Sequence, residues 1–377
     1  MKTALKWNRY FAALCILVSF LPALAQLAPP EIKSPQVNAD HTVTFRFFDP
    51  GAQKVTVNVE GAKSLEMTKD AQGVWSATTS ALDPEIYGYN FVADGVSLVD
   101  PNNTQIKTNL LNLSNMVLVP GAPPQPWEVQ DIPHGEVHHH LYKSGTVGDN
   151  RDYYVYTPPN YDPKSKTKYP VLYLLHGYSD GADGWTAVGK ANYILDTLIA
   201  EGKAKPMIVV MPLGYGAPEI LQYGWQIREH LDVMGKNFDG FRKMLITELM
   251  PRVEKEYRIS TDRNDHAIAG LSMGGAETLL TGLNNLDKFA YIGAFSSGGM
   301  TGDYAKDFPN LDAKANSQIK LLYIACGTED RLIEPNRKFK AWLKTNNVNF
   351  TDRETPGMHT WMVWRANLIE LAPQLFR

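Results

Sequence analysis

The chain has 377 residues, of which 44% are hydrophobic and 20% are charged, and its formal net charge is −3. This length leaves room for more than one domain, and the hydrophobic content predicts a packed core rather than a disordered chain. The small net charge, with no basic cluster, argues against nucleic acid or an anionic membrane surface as a partner.

The first 25 residues are predicted to form a secretory signal peptide. Lys2, Lys6 and Arg9 precede the apolar stretch Tyr10–Leu24, which ends in the small-residue cleavage pattern Ala23–Ala25. An N-terminal membrane anchor is the alternative, but the apolar stretch is short for a membrane span and a proline interrupts it.

Cleavage at this site would leave a single cysteine, Cys326, and therefore no internal disulfide. Because Cys326 follows a predicted core strand, we expect it to be a small buried residue rather than a nucleophile. An exported protein without disulfides suits a bacterial periplasm or cell exterior. We therefore expect a periplasmic or extracellular bacterial protein that has no membrane partner after cleavage.

Residues 26–119 are predicted to form a small immunoglobulin-like β-sandwich. Val43, Phe45 and Phe47 alternate with polar residues, and Lys54–Glu60 shows the same period of two. Such alternation is typical of half-buried strands, and turn-forming residues separate the runs.

The next segment, residues 120–134, is rich in proline and predicts a stiff, extended linker. In residues 135–377, apolar runs alternate with helix-like stretches, and Asp239–Tyr257 places apolar residues four apart in one stripe. Continuous apolar strands with helical connections predict an α/β domain with a mostly parallel sheet covered on both faces. The predicted strands are Tyr153–Tyr156, Val171–Leu175, Met207–Met211, His266–Ala269, Tyr291–Phe295 and Leu321–Ala325.

Two stretches match Gly-x-Ser-x-Gly, the pattern that places a nucleophilic serine on a tight turn between a strand and a helix in α/β-hydrolases. They are Gly177–Gly181, centred on Ser179, and Gly270–Gly274, centred on Ser272. A strand precedes both serines, but only Ser272 is followed at once by residues that favour a helix. The run Asp180–Gly184 after Ser179 is typical of a loop. We therefore predict that Ser272 is the nucleophile of an α/β-hydrolase.

A serine nucleophile of this kind needs two backbone amides that stabilise the negative charge developing on the ester oxygen. One comes from the residue after the nucleophile, here Met273. The other comes from a loop after an earlier strand, often marked by His-Gly. The stretch His176-Gly177-Tyr178 fits this description, and we predict Tyr178 as the second donor, with Gly177 as the alternative. His176 is expected to brace the loop rather than to transfer protons.

The general base and its orienting acid should follow the serine along the chain. His359 is the only histidine after Ser272 and is therefore the candidate base. The acid is expected just after a strand. The predicted strand Leu321–Ala325 is followed closely by two acidic residues, Glu329 and Asp330. Asp330 is the favoured acid. These residues require no metal or organic cofactor, and we expect none.

Two further groups of residues suggest binding functions. His138–His140 could indicate a metal site, but adjacent residues of an extended segment point to opposite faces, so a solvated strand is the favoured interpretation. Trp185 and Trp225 each follow a glycine in a predicted loop. Both are candidates for stacking on a sugar or an aromatic acyl group, although such aromatics are as often part of a core.

Four stretches of the chain resemble carbohydrate esterase family 1, which contains feruloyl esterases and acetylxylan esterases of the esterase D group. They are Tyr153–Asn160, Gly270–Gly275, Ala325–Asp330 and Pro356–Trp361. The resemblance covers residues 135–377. The preceding β-rich part resembles the early-set, family 48 carbohydrate-binding modules that are often fused to such esterases.

The resemblance implies a triad of Ser272, Asp330 and His359. It also implies a substrate class, namely feruloyl (hydroxycinnamoyl) or acetyl esters of plant xylan or its oligosaccharides. Three alternatives remain: an esterase for another ester such as a siderophore, an acyltransferase of the mycolyl type, and a catalytically silent glycan-binding protein. The signal peptide argues against a cytoplasmic siderophore esterase, and the complete set of Ser, acid and His argues against a silent protein. The oligomeric state is left open.

Overall fold

The computed structural model describes residues 31–377, so the predicted signal peptide lies outside the described residues. The first part of the described chain is a β-rich region of short strands. They are β1 (Gln36–Val37), β2 (Val43–Phe48), β3 (Val55–Val59), β4 (Leu65–Glu66), β5 (Thr68–Lys69), β6 (Val74–Thr78), β7 (Glu85–Ala93), β8 (Val96–Leu98), β9 (Ile106–Lys107) and β10 (Ser114–Val119). All of these strands pair antiparallel, in the orders β1-β2-β6-β5 and β4-β3-β7-β10-β9, with β8 on β7.

The two sheets of the β-rich region share one hydrophobic core, which confirms the predicted β-sandwich. Val43, Phe45 and Phe47 of β2 are buried, and the residues between them are only half-buried. They meet residues of the other sheet, where the rings of Phe45 and Tyr89 lie 4.6 Å apart. The period of two in the sequence therefore corresponds to one face in the core and one face toward solvent.

The predicted linker, residues 120–134, is not extended as expected. The Glu128 carboxylate accepts hydrogen bonds from the amides of Gly121 and Gln125, both at 2.8 Å, and so closes the segment into a loop. The indole of Trp127 lies beside the guanidinium of Arg365, which belongs to the last helix of the chain. The prediction of a stiff, extended spacer was wrong. A proline-rich composition shows that the backbone is restricted, but it does not show which other residues the segment packs against.

The rest of the chain is built on an eight-stranded sheet. Its strands are β11 (Glu136–Lys143), β12 (Asn150–Thr157), β13 (Val171–Leu175), β14 (Ile208–Pro212), β15 (His266–Leu271), β16 (Tyr291–Phe295), β17 (Leu321–Gly327) and β18 (Thr351–Thr355). Their order is β11-β12-β14-β13-β15-β16-β17-β18. Pairing is parallel from β14 to β18, and only β11 and β12 run antiparallel to their neighbours.

Helices cover both faces of this sheet. The α-helices are α1 (Gly184–Ala187), α2 (Ala191–Ala200), α3 (Leu231–Met244), α4 (Met250–Glu256), α5 (Met273–Gly282), α6 (Tyr304–Asp307), α7 (Ile333–Thr345) and α8 (Trp361–Leu371). Short 3₁₀ segments occupy Pro218–Glu229, Arg263–Asp265, Ala313–Ser317 and Ala372–Gln374, and a π-helical turn occupies Leu245–Leu249. None of the helices within residues 31–377 is long and apolar enough to cross a membrane.

The two-sided cover explains the continuous apolar runs in the sequence. Along β13, Leu172 and Leu174 belong to the hydrophobic cluster that includes residues of α2 and α8, whereas the alternate residues Val171, Tyr173 and Leu175 belong to the cluster that includes residues of α3, α4 and α7. Every residue of β13 is therefore buried. The sheet and its two helical layers confirm the predicted α/β architecture.

The helical stripe predicted over Asp239–Tyr257 is longer in the structure and is not a single regular helix. The helix begins at Leu231, and the π-helical turn joins α3 to α4, which ends at Glu256. Phe241, Leu249 and Val253 are fully buried, as the four-residue spacing predicts. The π-helical turn makes that spacing possible, because an α-helix of 3.6 residues per turn would rotate a strict four-residue stripe around its axis.

The β-rich region and the sheet region pack directly on each other. Arg365 of α8 is fully buried, and its guanidinium contacts the Glu85 carboxylate at 2.9 Å. The same guanidinium donates to the carbonyl oxygens of Ile86 and Val188, at 2.8 and 2.9 Å. The buried Arg365 guanidinium therefore has hydrogen-bond acceptors in both regions. These bonds hold the β-rich region against α8, because loss of the Glu85 carboxylate would leave a buried charge unpaired.

Candidate active site

Ser272 lies on the tight turn between β15 and α5. Its φ of 53° falls in the left-handed region that non-glycine residues rarely adopt. The glycines on either side allow this turn to pack closely: a Cβ on Gly274 would lie 2.4 Å from the carbonyl oxygen of His176, and one on Gly270 would lie 2.5 Å from the Gly274 carbonyl oxygen. The Gly-x-Ser-x-Gly spacing is therefore a steric requirement of the turn.

The structure brings the predicted base and acid to this serine. His359 lies in the loop between β18 and α8, and its Nε2 is 3.0 Å from the Ser272 Oγ. The Nδ1 of the same ring is 2.7 Å from the Asp330 Oδ2. Asp330 is buried at the end of β17, whereas Glu329 is exposed and does not contact the ring. Of the two acids that the sequence left open, only Asp330 contacts His359.

The environment of Asp330 favours its charged form. Burial raises the pKa of this carboxyl, but the hydrogen bond with His359 and the bond from the Leu332 amide outweigh burial, so the pKa lies below its usual value. A charged carboxylate at Nδ1 holds the proton on that nitrogen, which leaves Nε2 to accept a proton from the serine.

Tyr178, Gly177 and Met273 line the cavity that contains Ser272. The amide of Met273 is the first of α5, and the first amides of a helix have no partner within the helix. Among residues 31–377, the amides of Gly177 and Tyr178 also have no hydrogen-bond acceptor. The two predicted donors are thus available beside the serine, and Gly177 stays an alternative to Tyr178.

His176 braces this loop in its neutral form. Its Nδ1 donates to the carbonyl oxygen of Gly177, and its Nε2 accepts from the amide of Gly214, both at 2.8 Å. Complete burial lowers the pKa of His176 to about 4. A neutral ring held at both nitrogens agrees with the predicted structural role.

Ser179, at the centre of the other motif, has its hydroxyl bonded to the β-rich region and not to His359. Its Oγ accepts a hydrogen bond of 2.8 Å from the side-chain amide of Asn109, and its carbonyl oxygen accepts one of 2.7 Å from the amide of Leu110. The short helix α1 begins only at Gly184, five residues after Ser179. Ser179 is therefore a contact between the two regions.

The serine opens into a cavity of about 590 Å³. Its walls come from both regions of the chain, and this contribution of the β-rich region could not be read from the sequence. The β-rich region supplies Glu60, Lys107, Asn109, Asn112 and Ser114. No local pattern marks these residues, because their position depends on how β9 and the following loop meet the sheet region.

The two tryptophans proposed as substrate contacts differ in their exposure to solvent. Trp225 is 51% exposed and lines the cavity, with its ring 5.9 Å from that of Tyr178. Trp185 is fully buried, donates from Nε1 to the Leu175 carbonyl oxygen, and packs edge-on against Trp361. The prediction of Trp185 as a substrate contact was wrong, because helix α8 covers the position and makes it part of the core.

The remaining residues that the sequence marked have structural environments. Cys326 is buried, and burial raises the pKa of its thiol to about 12, which keeps the thiol protonated. The three adjacent histidines lie on the edge strand β11, where the rings of His139 and His140 stack on those of Tyr154 and Tyr153.

A mostly parallel sheet that carries a serine on a strand-to-helix turn, with a histidine and a buried acid on later loops, defines the α/β-hydrolase class. A family model described as "Putative esterase" matches residues 144–375. The chain therefore belongs to this family of esterases.

Two curated relatives are similar to this chain over different spans. An endo-1,4-beta-xylanase/feruloyl esterase of Xylanibacter ruminicola is 32% identical over 357 residues, which is 92% of this chain. The chain spans only 46% of that relative's own length. An acetyl esterase of Caldicellulosiruptor saccharolyticus is 26% identical over 236 residues, or 53% of this chain and 82% of that protein.

Solved structures with related folds fall into two groups. A CE1 ferulic acid esterase of the anaerobic fungus Anaeromyces mucronatus has a TM-score of 0.57 at 25% identity, covering 67% of this chain and 96% of its own. The enterobactin esterase of Shigella flexneri has a TM-score of 0.65 at 19% identity and covers 89% of this chain and 93% of its own. At 19% identity the likeness concerns the fold alone.

Proposed function

We propose that this chain is an exported serine esterase that removes feruloyl or acetyl groups from plant xylan or its oligosaccharides. The observation that carries the proposal is the continuous hydrogen-bonded relay from Ser272 through His359 to Asp330, which opens into a cavity of about 590 Å³. The substrate class is supported by the relatives, since one is named a xylanase/feruloyl esterase and another an acetyl esterase. Export to the periplasm or cell exterior is supported by the N-terminal sequence pattern.

In the first step, the Ser272 Oγ attacks the ester carbonyl carbon while His359 Nε2 takes the hydroxyl proton. Asp330 holds the ring in the tautomer that allows this transfer and stabilises the imidazolium that forms. The amides of Met273 and Tyr178 stabilise the oxyanion, and each such donor is worth about 3 kcal/mol of barrier.

In the second step, the tetrahedral intermediate collapses and the bond to the sugar oxygen breaks. His359 gives its proton to that oxygen, and the sugar leaves as an alcohol. Water then attacks the acyl-enzyme with the same histidine as base, which releases the carboxylic acid and restores Ser272.

The β-rich region is proposed to contact the sugar part of the substrate, as a carbohydrate-binding module would. Asn112 and Ser114 line the same cavity as the serine and offer amide and hydroxyl groups to sugar hydroxyls, and Asn109 lies beside them. Asn109 is held in place by its hydrogen bonds to Ser179 and Asp180.

A siderophore ester is the second candidate substrate. The likeness to enterobactin esterase covers 89% of the chain and so extends from the sheet region into the β-rich region, beyond the part matched by the ferulic acid esterase. A shared fold does not carry a shared substrate, and the predicted export signal argues against a cytoplasmic enzyme.

The proposal is tested by rates on four esters: methyl ferulate, a feruloylated arabinoxylo-oligosaccharide, an acetylated xylo-oligosaccharide and enterobactin. We expect kcat/KM to be highest on one of the two oligosaccharides. The Ser272→Ala variant supplies the background. Faster cleavage of enterobactin than of either oligosaccharide would favour the siderophore function, and no cleavage of any ester would refute the proposed activity.

A further inference from the structure

Two arginines from different parts of the chain line the cavity that contains Ser272. Arg228 belongs to the 3₁₀ segment Pro218–Glu229, and Arg331 follows the triad acid directly after β17. Half of the twelve arginines in residues 31–377 have an acidic partner within 4.0 Å, as Arg365 and Arg337 do. Within residues 31–377, neither Arg228 nor Arg331 has a carboxylate within 4.0 Å, although both lie beside a site that contains acids.

The Arg228 guanidinium lines the same cavity as Arg331 and is close enough to disfavour the charge of Arg331. Burial and the neighbouring Arg228 both lower the pKa of Arg331. Asp330, the nearest acid in the sequence, is already occupied by its hydrogen bonds with His359 and the Leu332 amide. Two cations that face one cavity without an anion between them are an arrangement that a bound anion would stabilise.

The other charged groups of the cavity do not neutralise this pair. Lys107 adds a third cation, and Glu60 is its partner at 2.9 Å. Asp180 also lines the cavity, but it is buried under Asn109, and burial raises the pKa of Asp180 to about 7. The wall that carries Arg228 and Arg331 therefore has an excess of positive charge.

We propose that Arg228 and Arg331 form a carboxylate-binding subsite, so that the preferred substrate carries a carboxylate near the scissile ester. The inference rests on the proposed esterase function and narrows its substrate. A guanidinium matches a carboxylate in both charge and shape, because its two N–H groups meet the two oxygens. Trp225 lies 5.9 Å from the Arg228 guanidinium and offers an exposed ring for the carbon skeleton that carries the carboxylate.

The carboxylate could belong to either side of the ester. On the sugar side it would be a uronic acid substituent of the oligosaccharide. On the acyl side it would be the second carboxylate of a dicarboxylic acyl group. Both present the same anionic group to the arginines, and matched substrate pairs distinguish them.

The test compares charged and neutral partners of each pair. On the sugar side, the pair is an acetylated xylo-oligosaccharide with and without a glucuronic acid substituent. On the acyl side, the pair is the nitrophenyl monoester of succinic acid and nitrophenyl butyrate. We expect wild type to prefer the charged member of one pair by roughly 10-fold in kcat/KM, since each charge-assisted contact is worth about that factor. This preference should fall as salt is raised, because the arginines are partly exposed.

The Arg228→Gln/Arg331→Gln double variant should abolish the preference and leave the rate on nitrophenyl butyrate within about twofold. Arg242→Gln is the matched control, since Arg242 is a half-buried arginine of α3 that does not line this cavity. Preference in neither pair, or a preference that survives in the double variant, would overturn the proposal.

Binding separates this inference from the proposed function. Calorimetry with the Ser272→Ala variant should show tighter binding of the glucuronic acid oligosaccharide than of its neutral partner, or of the nitrophenyl monoester of succinic acid than of nitrophenyl butyrate, whether or not the wild-type chain cleaves these esters. Equal affinities for the charged and neutral members of both pairs would reject the subsite even if the chain is an active esterase. A lack of cleavage together with charge-selective binding would reject only the esterase function.

Discussion

The two Gly-x-Ser-x-Gly motifs of this chain form similar backbone turns but differ in the side chains that meet their serines. Ser179 and Ser272 follow the neighbouring parallel strands β13 and β15, and both have positive φ, at 72° and 53°. Both therefore sit on tight turns at the same edge of the sheet. The residues that meet each hydroxyl are different: Asn109 of the β-rich region binds Ser179, and His359 binds Ser272.

The comparison teaches that the motif specifies a turn and not a nucleophile. The small residues are needed because the strand, the turn and the next segment approach closely. A nucleophile arises only where a base and an oriented acid reach the hydroxyl, and these come from distant parts of the chain. The motif around Ser179 instead contributes the His-Gly loop and a contact to the β-rich region.

The largest expected effect separates the two serines. Ser272→Ala should lower kcat by about 10⁴-fold or more, because the nucleophile and the relay both disappear. Ser179→Ala should keep kcat within about threefold and lower the free energy of unfolding by about 1 kcal/mol, through the lost bond to Asn109. Both are measured by nitrophenyl acetate hydrolysis and urea unfolding. If Ser179→Ala is the inactive variant, the assignment of the nucleophile is wrong.

A smaller effect on kcat is expected for Asp330, the acid that contacts His359 beside Ser272. Asp330→Asn should lower kcat by up to about 10⁴-fold, because the amide no longer holds the His359 tautomer that accepts the serine proton. Glu329→Gln is the matched control, since Glu329 is adjacent but exposed, and it should stay within about twofold of wild type. Equal losses in the two variants would contradict the assignment of Asp330.

The smallest effect concerns stability at the Ser179 motif. Burial raises the pKa of Asp180 to about 7, above the value of an exposed aspartate, so the folded state holds the proton more tightly than the unfolded state. The contribution of Asp180 is therefore fully present below about pH 4 and is lost as pH rises to 7. The Asp180→Asn variant has no such group and should not lose this stability. The free energy of unfolding of the variant minus that of wild type should therefore increase between pH 4 and 8, by on the order of 4 kcal/mol.

The measurement is urea unfolding of both proteins across this range. His176 has the opposite slope, since burial lowers its pKa to about 4 and stability rises with pH between there and its usual value. Because His176 is present in both proteins, its effect cancels in the difference. A difference that stays constant from pH 4 to 8 would show that Asp180 is not buried as a neutral acid.

Several features of the site could be predicted because they depend on neighbours in the sequence. Ser272 was recognised from the strand before it and the helix after it, and His359 from its place as the last histidine. The sequence did not decide between Glu329 and Asp330 as the acid that contacts His359. Adjacent residues differ only in which way the chain turns at the end of β17, and that turn is set by contacts with the loop around Gly357.

Other features had no local pattern at all. Trp185 and Trp225 both follow a glycine, yet α8 covers the first and leaves the second exposed. The same applies to Arg228 and Arg331, which are far apart in sequence and line one cavity only in the folded chain.

The sequence by itself determined the alternating strands of the β-sandwich, the two-sided burial of the parallel sheet and the tight turn at Ser272, because periodicity and small residues act over a few positions. Only the tertiary structure decided which acid contacts His359, which tryptophan faces the cavity, and that the β-rich region lines it. Those outcomes depend on how distant elements pack, and packing between elements is set by the shape and charge of surfaces that no short stretch of sequence contains.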